Sequence, residues 1–224
     1  MPTAYIFCKS YILNINKINI PVSDNSDNGN IYIAADSGIE TAEKLNINPD
    51  VLIGDFDSAD LSCLKSRYDD IKIIKYPAEK DDTDSMLAIK YSLEFGYDNI
   101  IIIGGIDGRI DHTLANLFCL KYIKNHGGYG YITNGYNKIS YLANSSVKIY
   151  KDYKYVSVMP ISPEIRGVTL KGFKYSLENA TVKSEEPYTV CNEILREYGE
   201  ITISDGEAWI CECDDVGKGK NASF

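Results

Sequence analysis

The sequence predicts an α/β protein in two parts: a mostly parallel sheet with flanking helices, followed by an antiparallel β-sandwich or jelly-roll-like part. Three observations lead there. Up to about residue 126, short β-branched runs alternate with longer amphipathic stretches, the βαβ rhythm of a parallel sheet covered by helices. Beyond His126 the chain breaks into short strands separated by Gly, Asn, Asp and Pro, with little room for a long helix. A hydrophobic content of 44% over 224 residues is enough to build a proper core and excludes a disordered chain. The boundary falls near NHGGYG or NGYN, and taken at the first it gives domains 1–128 and 129–224.

In the first part, AYIFC (4–8), IYIAA (31–35), DVLI (50–53), IKIIK (71–75) and NIIII (99–103) read as buried strands. Helical stretches lie between most of them, at about 38–46, 60–67, 83–95 and 111–125. In the third of these, Met86, Leu87, Ala88, Ile89 and Leu93 form a wide apolar stripe, and Gly96 stands where a C-terminal stop belongs. Residues 13–30 read as an exposed connection. The second part supplies YGYIT, KISYLA, VKIY, YVSVMP, GVTL, EITIS and EAWICE as strands, and DDVGKGKNASF as a frayed tail.

A net charge of -9 argues against a grip on nucleic acid, whose phosphates need a basic surface. The six cysteines form no CxxC pair, and His112 and His126 lie far from zinc spacings, so neither a structural zinc nor a disulfide scaffold is expected. The start of the chain lacks a signal-peptide pattern, and no apolar run approaches the ~20 residues of a membrane span. The expectation is a reducing, cytoplasmic location away from membranes.

Ligands of open α/β sheets gather at the carboxyl ends of strands, and four polar clusters sit there: ADSG (35–38), GDFDS (54–58), EKDDTD (79–84) and GGIDGRIDH (104–112). Asp55 and Asp57 are two apart, so in an extended segment both carboxylates point to one side and Phe56 points inward. Asp81 and Asp84 are separated by three, the spacing of one helical face or of a cap and its first turn. Turn and capping chemistry accounts for some of these acids. A hard cation such as magnesium, which prefers oxygen ligands and works with phosphates, accounts for their crowding. Gly104, Gly105 and Gly108 permit close backbone approach ahead of a helix N-terminus that favours anions, and Arg109 adds a forked phosphate donor. Pairing of Arg109 with Asp111 or Asp107 is the structural alternative. The stretch fits neither G-x-G-x-x-G nor a P-loop. His112 reads as a helix-start residue rather than a base, and Trp209 as core, with stacking on an aromatic ligand as the alternative.

With these residues in place, the sequence resembles the thiamine pyrophosphokinase family. The resemblance runs in order through ADSG, NPDVLIGDFDS (48–58), EKDDTDSMLAI (79–89), GGIDGRIDHTLANL (104–117), GVTLKGFKYSLENAT (167–181) and TVCNE (189–193). It implies a Rossmann-like α/β ATP-binding catalytic domain, a β-sandwich thiamine-binding domain, and a homodimer with composite active sites. The implied reaction moves the terminal diphosphate of ATP to the hydroxyethyl group of thiamine and releases AMP. It implies Asp55, Asp57, Asp81 and Asp84 as holders of Mg2+, and Asp55, Asp57, Asp84, Arg109 and Asp111 as the catalytic set. Asp36, Ser37, Gly38, Thr83, Gly104, Gly105, Gly108, Arg109 and His112 would bind the nucleotide. Asp81, Asp84, Thr189, Cys191 and Asn192 would bind thiamine. The chain departs from the family at Cys191, where a serine is usual, and at Cys8-Lys9-Ser10, where a glycine-containing turn is expected. A diphosphokinase acting on a hydroxymethyl-pterin and a non-catalytic nucleotide or thiamine sensor are the alternatives.

Overall fold

The computed structural model describes residues 1–21, 29–56, 67–68, 71–77, 79 and 81–216. The helix expected at 60–67, the tail beyond Val216 and Asp57 lie wholly or almost wholly outside these residues. The chain divides into two compact units, Met1–Gly135 and Tyr136–Phe224.

The first unit is built on a parallel sheet of β1 (Thr3–Phe7), β2 (Ile31–Ala35), β3 (Val51–Gly54), β4 (Lys72–Lys75), β5 (Asn99–Ile103) and β6 (Tyr129–Thr133). Their order is β4-β3-β2-β1-β5-β6, and every neighbouring pair is parallel. All five residues of β1 and all four of β3 are buried, as expected for strands covered on both faces. Helix α1 (Ile39–Lys44) places Ala42 against Tyr5, Phe7 and Tyr32. Helix α2 (Asp84–Glu94) packs on β1, β2 and β3, and α3 (Ile110–Asn125) on β6 and α2. At the end of α2, Gly96 adopts φ +81 and its N–H bonds to the Leu93 carbonyl, the stop its sequence position indicates.

Two expectations change here. YGYIT, read as the first strand of the antiparallel half, is β6 and pairs in parallel with β5. The reason is the helix before it: α3 is the crossover that brings the chain back to the same end of the sheet, which a parallel neighbour requires. The first compact unit accordingly runs to Gly135, within NGYN, the second of the two boundaries the sequence offers. The stretch 13–20 is not a plain exposed connection either, because Leu13, Ile18 and Ile20 pack against the Tyr5, Phe7 and Tyr32 cluster.

The second unit contains two antiparallel sheets. One joins β7 (Asn137–Ala143), β13 (Glu207–Cys213) and β9 (Tyr155–Pro160). The other has the order β11 (Leu177–Lys183), β10 (Glu164–Lys171), β12 (Tyr198–Thr202), β8 (Ser146–Tyr150). Leu142, Val156, Val158, Ala208 and Ile210 of the first meet Ile149, Ile165, Val168, Leu170, Val182 and Ile201 of the second in one buried cluster, the core of a β-sandwich. Strand β11 escapes a reading by hydrophobic pattern because only Val182 in it is buried. Trp209 is half-buried on β13 and meets Tyr141 edge-on at 5.7 Å.

Candidate active site

Strand order reverses direction between β1 and β5, and a cavity of about 410 Å³ opens at their carboxyl ends. Its walls come from the end of β1 (Cys8, Lys9), the turn after β2 (Ala35, Asp36, Ser37), the start of α2 (Thr83, Asp84, Ser85), the β5–α3 loop (Gly105, Asp107, Arg109) and α3 (His112, Asn116), with Tyr11. Of the residues expected to bind nucleotide, Asp36, Ser37, Thr83, Gly105, Arg109 and His112 meet here, together with Asp84.

The local sequence sets each side chain. After β2, Asp36 turns the chain at φ +47 into a single 3-10 turn over Asp36–Gly38. Gly38 closes that turn where no side chain fits, since a Cβ would stand 1.9 Å from the Phe7 carbonyl oxygen. Gly54 lies so close to Asp36 that a Cβ would come within 3.2 Å of its Cα, which brings the loop carrying Asp55 beside the Asp36 turn. Phe56 points inward as the alternation requires and is buried with Ala34 and Leu52, its backbone at φ +54. Asp55 and Asp81 do not line the cavity itself.

Thr83 is the N-cap of α2: its hydroxyl accepts from the Met86 N–H at 3.2 Å. Asp84 is then the first helical residue, placed at the positive end of the helix dipole on the cavity wall. The spacing of Asp81 and Asp84 left open one helical face or a cap and its first turn; the cap is Thr83, and Asp84 lines the cavity from the first turn.

Beyond β5, Gly104 takes φ +85 and approaches the Cys8 carbonyl so closely that a Cβ would lie 2.4 Å away. Arg109 stands at the N-cap of α3, and its Nε and Nη2 reach Asp111 Oδ1 and Oδ2 at 3.1 and 2.5 Å. The guanidinium holds the Asp111 carboxyl down at about 2, and the carboxylate in turn raises Arg109 above its ordinary value. Both groups are exposed, so the pair orients the fork rather than stabilising the fold. The His112 N–H also donates to Asp111 Oδ1 at 2.9 Å.

Sequence reading missed the brace behind this wall. Ser85 Oγ donates to Asn116 Oδ1 at 2.7 Å, and Asn116 Nδ2 donates to the Gly105 carbonyl at 2.8 Å. Asn116 is buried, so the start of α2, helix α3 and the glycine loop are tied by one side chain. The only signal was a polar residue within an otherwise apolar run, LANLFCL.

Of the residues expected to bind thiamine, Asp81 and Asp84 lie in the first unit, while Thr189, Cys191 and Asn192 sit in the second, where most of the capacity of Thr189 and Asn192 is engaged. Thr189 is buried and donates to the Val158 carbonyl at 2.5 Å. Asn192, also buried, accepts from the N–H groups of Tyr175 and Glu193, each at 3.0 Å, and donates to the Tyr175 carbonyl at 2.7 Å. The Thr189 bond and the main-chain pair of Asn192 with Val156 fix the segment against β9, while the Asn192 side chain ties it to Tyr175. Cys191 between them is exposed, at φ +58, with its N–H on Ser157 Oγ at 3.0 Å.

Residues 23–128 match the family profile "Thiamin pyrophosphokinase, catalytic domain", and 145–207 match "Thiamin pyrophosphokinase, vitamin B1 binding domain". The Bacillus subtilis thiamine pyrophosphokinase is 32% identical over 191 residues, covering 81% of this chain and 86% of that protein. The chain belongs to the thiamine pyrophosphokinase family. It is thus an enzyme of the class that transfers a diphosphate group from ATP to thiamine. A crystal structure of the Bacillus subtilis thiamine pyrophosphokinase superposes with a TM-score of 0.83 at 26% identity, over 96% of this chain and all of that one. The Geobacillus thermodenitrificans protein shares the fold, with a TM-score of 0.78 at 24% identity over 97% of this chain and 99% of that one. The match to a vitamin B1 binding domain selects thiamine over the pterin alternative. Among the described residues no helix is long and apolar enough to cross a membrane.

Proposed function

We propose that the cavity of the first unit holds the phosphates of ATP and that Asp84 and Arg109 carry the transfer of diphosphate to thiamine. The observation that supports this most is the convergence at one topological switch point of a helix N-terminus, a carboxylate beside it, and an oriented Arg fork. The N-termini of α2 and α3 and the guanidinium attract the polyphosphate and neutralise charge that develops on it. Asp111 keeps the fork aimed. Asp84 takes or positions the proton of the thiamine hydroxyl for in-line attack.

Magnesium suits the donor set. Asp36 and Asp84 present hard carboxylate oxygens in the cavity, and Asp55 stands on the adjoining loop. Among the described residues no three acidic, His or Cys side chains form a cage of their own. That composition fits an ion held by a few carboxylates together with phosphate oxygens and water. Asp36, Asp55, Asp84 and, from outside the described residues, Asp57 would hold it, with Asp81 near. When bound, the ion would screen the phosphates and orient them for displacement.

The cavity lining comes from the first unit alone, while the Thr189–Asn192 segment belongs to the second. A homodimer in which each site joins these parts from different chains accounts for both. Mixing an inactive Asp84→Asn chain with an inactive Asn192 variant by refolding should restore about a quarter of activity. A mixture that stays inactive overturns the composite site. For the reaction itself, purified protein with ATP, magnesium and thiamine should give AMP and thiamine diphosphate in equal amounts. ADP with thiamine monophosphate would contradict diphosphate transfer, and binding without turnover would favour a sensor.

A further inference from the structure

The segment after β1 is held more tightly than a connecting turn requires. Ser10 is buried; its N–H donates to Thr41 Oγ1 at 3.1 Å, and its carbonyl accepts from Lys44 Nζ at 3.0 Å. From the far side, a single oxygen of Asp107 accepts from three donors: Ser10 Oγ at 2.9 Å, the Tyr11 N–H at 2.9 Å and the Ile12 N–H at 2.6 Å. The other oxygen, Oδ1, is buried and is the one buried side-chain polar atom among the described residues without a hydrogen-bond partner. An unpaired buried carboxylate oxygen is costly, so the clasp on Oδ2 is kept against that cost.

The clasp fixes Tyr11. Its ring rests on Gly108, where a Cβ would come within 2.9 Å of a ring carbon, so a side chain at position 108 would push the ring away. The residue nevertheless stays 67% exposed at the edge of the cavity that holds Asp84 and Arg109. Lys9 Nζ stands 5.7 Å from the ring centroid and pairs with Glu40 at 3.6 Å. An aromatic face that is immobilised yet left open is a surface for another flat ring. Both substrates of the family's reaction carry rings, and since Lys9 and Arg109 are each paired with a carboxylate, Glu40 and Asp111, attachment rather than charge chooses between them. The adenine of ATP is neutral and joined to the phosphates that Arg109 and the helix N-termini attract.

We propose that Tyr11 is the stacking platform for the adenine ring of ATP, and that Asp107 is the positioning residue that holds it there. This rests on the reading that the cavity takes the phosphates of ATP. The test compares binding of a non-hydrolysable ATP analogue with binding of inorganic tripolyphosphate, each with magnesium, by calorimetry. Tyr11→Ala should weaken the analogue roughly tenfold and leave tripolyphosphate within about twofold, because only the analogue has a base to stack. Tyr11→Phe should restore the analogue's affinity. Asp107→Ala should show the same selectivity to a smaller extent, and in turnover KM for ATP should rise in Tyr11→Ala while KM for thiamine holds. Equal weakening of both ligands, an unchanged analogue, or a loss confined to thiamine overturns the platform while leaving the ATP site standing. Failure of the wild-type protein to bind either ligand overturns the ATP reading and the platform with it.

Discussion

The two units spend their polar side chains in opposite ways. In the first, site residues stand at strand ends where the parallel ladder and, for α2, the Thr83 cap satisfy backbone groups, and Asp84 and Arg109 line the cavity. In the second, Thr189 and Asn192 are buried and bond to main chain, and only Cys191 between them is exposed. If the proposed function holds, the contrast separates residues placed for chemistry from residues that hold a surface in shape, and activity and stability should respond differently in the two places.

The largest effect on activity is expected at Asp84→Asn. It should lower turnover by at least about a hundredfold, as loss of a charge placed for the transition state does, while stability shifts by less than about 1 kcal/mol, the scale of a helix-dipole contact. Steady-state rates and urea denaturation measure the two. Retained turnover would reduce Asp84 to a helix-start residue. Asn192→Ala should lose stability along with activity, by ~3 kcal/mol, because two part-buried N–H groups and a carbonyl lose their partner. An unchanged denaturation midpoint would erase the contrast.

A smaller effect concerns the Arg109–Asp111 pair. The Asp111 carboxyl, held at about 2 against an ordinary value near 3.9, should return toward that value in Arg109→Gln, followed by carbon NMR titration. The sign follows from the depressed value: whatever the pair contributes is present above pH ~4 and is lost as pH falls toward 2. Both groups are exposed, so this is a change in orientation of the fork with little effect on unfolding. The smallest effect is expected at Cys191→Ser. It restores the hydroxyl usual in the family at an exposed position, so thiamine affinity should hold or improve and stability should barely move. A large loss of affinity would mean that the surface here is shaped around the thiol.

Most of the first unit was legible because its central strands are apolar runs buried on both faces, and its loops carry Gly and Asp where the chain must turn. The strands 31–35 and 99–103 fall where the sequence puts them, and Phe56 turns inward as alternation demands. Less was legible in β6, whose five residues look alike whether the neighbour is parallel or antiparallel; the helix before it decides. Strand β11 hides because an edge strand with one buried residue has no apolar pattern to read. The Thr83 cap was masked by its acidic neighbours, which share the same propensity for helix starts.

By itself the sequence determined the change from βαβ rhythm to short strands, the position of the polar clusters at strand ends, and an order of motifs specific enough to place the family. These are local properties: periodicity, turn chemistry and short spacings act over a few residues. Only the tertiary structure decided which polar groups are left for a ligand. Ser10 and Asp107 are 97 positions apart, Ser85 and Asn116 are 31 apart, and Asn192 meets Tyr175 across 17. Whether a hydroxyl, amide or carboxylate is consumed by the fold or free for chemistry depends on the donor that packing brings to it, and packing is settled by strand order and helix docking, not by neighbours along the chain.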